Sequence, residues 1–182
     1  MGCSRHKTSD TEQASSRHET LTPVPDQTAF VLTDVDGRTT TLTLQNARLR
    51  LSRVVQPTVI LHFFTTRADL GRAMLPYLSD LQRKRAKRVF VVGLVVPESL
   101  DAAFVREYMH QNDTTFFVSH ASDNLPLGHA IASMLKLDAN YPLPLTVVFD
   151  HGRCVTHYEG VTPIEMIRND LNDLQSTTGR PK

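Results

Sequence analysis

At 182 residues the chain is long enough to bury a sizeable core and suits one domain with appendages. Its 20 basic and 19 acidic residues are interspersed and leave a formal net charge of +1, so neither nucleic acid nor an anionic surface is implied as the main partner. Two cysteines, Cys3 and Cys154, are too few for a disulfide framework or for zinc patterns built on closely spaced pairs, and no apolar run is long enough to cross a bilayer.

Residues 1–28 read as a flexible polar tether, rich in Ser, Thr, Asp, Glu, Gln and His and closed by Pro23-Val24-Pro25. Such composition cannot bury enough apolar surface to offset the entropy of ordering. No secretory apolar region precedes the domain, yet the chain opens Met1-Gly2-Cys3-Ser4. Three readings of Cys3 stand. Gly-Cys-Ser resembles the cleavage site of bacterial lipoproteins, in which the Cys carries the lipid. Eukaryotic acylation at Gly2 and Cys3 would want Ser or Thr where His6 stands. The third reading is a plain tail cysteine.

The folded part, 29–176, opens with two β-rich runs, Phe30 to Asp34 and Thr39 to Leu44, around Asp36-Gly37, which predicts a hairpin. Residues 45–56 read as an irregular connection. Val59 to Phe64 is a near-continuous apolar run, as a central strand buried on both faces requires, broken only by His62. Thr66-Arg67-Ala68-Asp69 fits a capping box with Thr66 as N-cap. Leu70, Met74, Leu78 and Leu81 then share one helical face, and Pro76 predicts a kink.

Further on, Val89 to Val96 reads as a second buried strand and 99–111 as a helix capped by Ser99. The basic run Arg83 to Arg88 between them reads as a solvated helix end, where the dipole favours cations. A short strand over 115–118 and a helix over 127–137 follow. Leu145 to Phe149 and Cys154 to Tyr158 predict a hairpin across Asp150-His151-Gly152, and 163–174 a last helix capped by Thr162. The tail 177–182 reads as disordered.

The segment from Val59 to Pro76 resembles the strand, active-site turn and kinked helix of thioredoxin-like proteins. It is most similar to the membrane-tethered TlpA/ResA branch, whose members read roughly V-L-x-N-F-W-A-T-W-C-x-x-C-R-x-E-x-P. Pro144, in Tyr141-Pro142-Leu143-Pro144-Leu145-Thr146, falls on that family's cis-proline, and Gly160 on its glycine before the last helix. The resemblance covers about Phe30 to Leu174. It implies an α/β fold with a central mixed sheet flanked by helices and an added N-terminal β-hairpin.

The departures bear on chemistry. The family's two active-site cysteines fall on Ala68 and Gly71, and its aromatic on Arg67. Disulfide exchange needs an attacking thiolate, which neither Ala nor Gly supplies. Cys154 lies on a strand far from that turn and reads as a small apolar residue. His62 reads as a hydrogen-bonded core histidine. His120 and His129 flank a loop with Asp123 but match no metal-ligand spacing.

The expectation is therefore a lipid-tethered, redox-inactive binding domain of the bacterial cell envelope, facing the periplasm, with no cofactor, metal or nucleic acid. Its candidate groove is Thr66, Arg67, Ala68, Asp69, Leu70, Leu143 and Pro144, with Leu143–Pro144 cis. An envelope protein or extended peptide would pair with the Leu143 backbone, and Cys3 would attach the chain to a membrane. The alternative is a member of the thiol–disulfide oxidoreductase group working through an atypical or unrelated activity.

Overall fold

The computed structural model describes residues 27–97 and 99–178. Residues 1–26, with Cys3, and 179–182 lie outside the described residues. Within the described part, eight strands form one sheet: β1 (Gln27–Thr33), β2 (Thr39–Gln45), β3 (Arg48–Leu51), β4 (Thr58–Phe64), β5 (Val89–Val95), β6 (Phe117–Ser119), β7 (Leu145–Asp150) and β8 (Arg153–Glu159). Their spatial order is β1-β2-β3-β8-β7-β4-β5-β6. The helices are α1 (Asp69–Arg72), α2 (Leu75–Lys84), α3 (Ala102–Gln111), α4 (Asn124–Leu135) and α5 (Ile164–Thr178). β4 pairs parallel with β5 and antiparallel with β7, so the sheet is mixed and β4 lies inside it. This is the thioredoxin-like arrangement that the sequence implies.

β4 is apolar almost throughout because both of its faces are covered. Val59, Leu61 and Phe63 pack with α4 and with Leu32, Leu42 and Leu49 of the N-terminal strands. Ile60 and Phe64 face the other way, onto α2, α3 and α5. Each large side chain withdrawn fully from water in these two layers contributes about 1.5–3 kcal/mol. The alternation along β4 thus fixes which residues face each of the two layers.

The structure differs from the sequence reading in several places. Residues 45–56 hold a strand, β3, joined to β2 through Asn46 and Ala47 at φ 50° and 57°. Two central residues with positive φ make the two-residue turn that matches strand twist, normally signalled by a glycine, and here Ala47 stands in its place. The added hairpin is therefore a three-stranded unit, and β3 ties it to β8.

The helix expected from residue 66 is two helices. The N-cap of α1 is Ala68 with no side-chain cap bond, and Pro76 occupies the first turn of α2, where its missing N–H costs nothing. Thr66 is not the cap, and the capping box is not formed. The break shifts the helical phase, so Leu70 is 58% exposed while Met74, Leu78 and Leu81 are buried.

α3 starts from Asp101 rather than Ser99, the Asp101 carboxylate accepting the Phe104 N–H at 2.7 Å. α4 starts earlier, since Pro126 is tolerated in a first turn, and ends at Lys136 in the left-handed region. Finally, β1 begins at Gln27, inside the segment read as tether, and α5 runs to Thr178.

Replacing Ala47 by Gly should remove the left-handed cost of a Cβ while adding less backbone entropy than it relieves, a net gain of about 0.5–1 kcal/mol. Thermal unfolding should show a rise of a few degrees. A fall would contradict this account of the β2–β3 turn.

Candidate functional site

The register of β4 with β7 runs to Phe63 opposite Leu145. The Thr65–Ala68 turn and Leu143–Pro144 therefore leave the sheet at the same end. Leu143–Pro144 is cis, as the sequence resemblance implies, and so is Val96–Pro97, which the sequence reading did not anticipate. The Pro144 carbonyl accepts the Gly160 N–H at 2.8 Å, which brings the β8–α5 connection to the same end. Arg67, Ala68, Asp69 and Leu70 are exposed, Thr66 and Leu143 half-buried, and Pro144 buried. Asp69 is paired with Arg72 at 2.6 Å. Among the described residues, the Leu143 N–H and C=O make no hydrogen bond.

Behind this edge lies the tightest contact of the turn. Gly71 is buried, and a Cβ placed on it would sit 2.1 Å from the Thr65 carbonyl oxygen and 3.2 Å from its carbon. These are backbone atoms at the end of the central strand, which cannot rotate away as a side chain can. The position aligned with the second family cysteine thus has no room for any side chain in this backbone. Ala68, aligned with the first, is on the surface without a thiol.

His62 underlies the same turn from β4. Its ring is fully buried, Nδ1 lies 2.9 Å from the Thr146 Oγ1, and Phe64 stacks on it with ring centroids 5.6 Å apart. Burial lowers its pKa from 6.5 to about 4, and the Gly71 backbone opposes that shift only in part. By geometry Nε2 has no hydrogen-bond partner among the described residues. His62 is a neutral core residue at neutral pH.

A groove that the sequence reading missed adjoins the edge. Ala73, Met74 and Tyr77 face Val161, Pro163 and Ile164 across a cleft of about 350 Å³. Tyr77 and Val161 stand exposed about it, apolar groups left in water at the rim. Tyr77 lies one position off the Met74–Leu78 stripe, a placement that helical spacing marks as the border of the buried face. On the other side, Tyr141 packs on Phe63 edge to face and lies against Gly128 of α4. That contact holds the loop leading into Leu143, and burial pushes the Tyr141 hydroxyl up to about 12.

The remaining candidates lie elsewhere. Cys154 sits on β8 opposite Phe149, half-buried against the core, and burial raises its thiol pKa. It lies near the start of β8, whereas Gly160, close to the turn, follows the end of that strand. His120 turns Nδ1 toward the Leu100 carbonyl at 3.2 Å. Among the described residues no three His, Cys, Asp or Glu side chains converge as metal ligands do.

Several solved structures share this fold. A thioredoxin-family thiol:disulfide interchange protein of Chlorobium tepidum is 21% identical over 79% of this chain and 91% of its own, with a TM-score of 0.61. StoA of Bacillus subtilis is 16% identical over 82% and 99%, with a TM-score of 0.56. The exposed lipoprotein thioredoxin of Streptococcus pneumoniae is 16% identical over 80% and 99%, with a TM-score of 0.51. No family model and no curated protein matches the chain. At these identities the likeness speaks for the fold alone.

Two expectations follow. Gly71→Ala should destabilise the domain by about 1–3 kcal/mol through overpacking, despite the better helix propensity of Ala, and a midpoint unchanged in urea would contradict the contact. For His62, the folded pKa lies below the unfolded one, so its contribution is complete above pH 6.5 and is lost as pH falls toward about 4. The loss amounts to about 3 kcal/mol. His62→Asn, which keeps a partner for Thr146, should flatten the stability profile between those values. Parallel profiles would contradict the assignment.

Proposed function

We propose that this chain is a redox-inactive thioredoxin-like domain that binds an extended peptide or protein segment, held in the bacterial cell envelope by a lipid at Cys3 and facing the periplasm. The observation that carries the reading is Gly71 against the Thr65 carbonyl. The cysteines are absent, and the backbone has closed into the space that the second one would need. What stays open at that end is a peptide-binding geometry. The Leu143 backbone groups can pair with an added strand, and the Tyr77–Val161 cleft can take an apolar side chain beside it. Arg67 and Asp69 at the rim would set charge preference.

The likeness to an exposed lipoprotein thioredoxin and to a secreted disulfide oxidoreductase of Mycobacterium tuberculosis supports the placement, as does the Gly2-Cys3-Ser4 opening. The alternative, a thiol oxidoreductase working through an atypical residue, would have to use Cys154. That thiol is held protonated by burial and lies away from the turn.

In an insulin-reduction assay with dithiothreitol, the domain should turn over no faster than its Cys154→Ala variant, and clear excess activity would sink the redox-inactive half. For the binding half, a peptide selected from a random library against the wild-type domain should bind Tyr77→Ser and Val161→Glu at least tenfold more weakly, about 1.4 kcal/mol. Equal affinity would remove the cleft from the site. For the tether, the full chain made with its native leader should partition into detergent and take up labelled fatty acid. Equal behaviour of Cys3→Ser would leave the plain-tail reading.

A further inference from the structure

The end of the sheet opposite the Ala68 turn gathers cations that the whole-chain charge conceals. One register row crosses that end from strand to strand: Gln27, Gln45, Arg48, Arg153, Asp150, Thr58 and Val89. Hydrogen bonds stitch the flanking segments together there. The Thr58 N–H donates to the Arg88 carbonyl at 3.0 Å, the Gln56 side chain to the Ala86 carbonyl at 2.9 Å, and the His151 N–H to the Pro57 carbonyl at 2.7 Å. Three stretches distant in sequence, 48–57, 83–88 and 150–153, thus share one surface. The first two contain no acidic residue, and the third contains only Asp150, which accepts from the Thr58 hydroxyl and contacts His151.

Within the basic run, Arg83 and Lys84 pair with Asp80, and Arg85 bonds Asn172. Arg48, Arg50, Arg53, Lys87, Arg88 and Arg153 are exposed and form no ion pair among the described residues. In the first of these stretches Val55, 89% exposed, projects an apolar side chain that packs on little of the protein. Six unneutralised cations around an apolar tip match a surface that is anionic outside and apolar a few ångströms below. A folded partner would instead need a shaped, charge-matched face.

We propose that this end is a contact surface for an anionic lipid bilayer, with Val55 entering the headgroup region and the six cations facing lipid phosphates. The chain outside the described residues fits that occupant. It enters the domain at Gln27, which begins the same register row, so a lipid carried on the N-terminal segment would hold this end toward the bilayer. The seven residues of β4 then place the Leu143–Pro144 edge roughly 20 Å further out, facing away from the membrane. The surface is distinct from the peptide-binding edge, and either reading can fail without the other.

The test uses the full chain carrying Cys3→Ser, so that no acyl chain contributes, with vesicles of phosphatidylcholine containing phosphatidylglycerol. Co-sedimentation should show binding that grows with phosphatidylglycerol content and weakens in 0.5 M salt, on the order of a few-fold in affinity for each cation engaged. Arg50→Glu, Arg53→Glu, Lys87→Glu and Arg88→Glu together should lower binding at least tenfold. Val55→Asp should lower it further, and Tyr77→Ser, at the other end, should leave it unchanged. All these positions are exposed, and an unchanged melting curve shows that the fold is kept. Undiminished binding by the charge-reversed variant would overturn the proposal. So would binding to an acidic polypeptide or an oligonucleotide without binding to the vesicles.

Discussion

The contact between Gly71 and the Thr65 carbonyl constrains the rest of the candidate site. It closes the end of the central strand against the first helical turn and leaves α1 only four residues long. α2 begins anew at Leu75, with Pro76 in its first turn. A side chain at position 71 would force the strand end and the helix apart, because both obstructing atoms are backbone. Under the proposed reading, the lack of a cysteine at position 71 and the closure of the turn go together, since the close contact leaves no space there for a thiol side chain. His62 fits the same constraint. It fills the layer beneath the turn as a neutral ring bonded to Thr146, in a site where a charge would be costly.

The sheet keeps two surfaces with different chemistry at its two ends. At one end β4, β7 and β8 deliver the turn, the cis-proline and the β8–α5 connection, with apolar groups around a cleft and a Leu143 backbone that makes no hydrogen bond among the described residues. At the other the same strands start or finish among arginines and lysines. Rigid strands between them fix the separation, so a domain held by one end presents the other. The proposed tethered binding role would use this separation, since reach and orientation would then matter more than turnover.

The fold was legible in the sequence where burial left a periodic record. The apolar runs of β4 and β5, the Asp36-Gly37 and His151-Gly152 turns and the Pro144 position all read correctly because one residue type dominates each. Legibility failed where unusual residues hold ordinary geometry. Ala47 occupies a turn position that glycine usually marks, so β3 passed for a connection. Leu70 kept helical spacing with Met74, but the break between α1 and α2 put it in water. The Tyr77–Val161 cleft joins residues more than eighty apart, and the basic end joins three segments. Neither leaves a local signature, and the net charge of +1 averages the second away.

The most direct test of a binding role for the cis-proline edge is an amide chemical-shift map of the domain titrated with a selected extended peptide. Shifts should concentrate at residues 66–70, 141–144 and 160–165, with the Leu143 amide moving downfield as it gains a hydrogen bond. Shifts confined to other faces, with Leu143 unmoved, would contradict it.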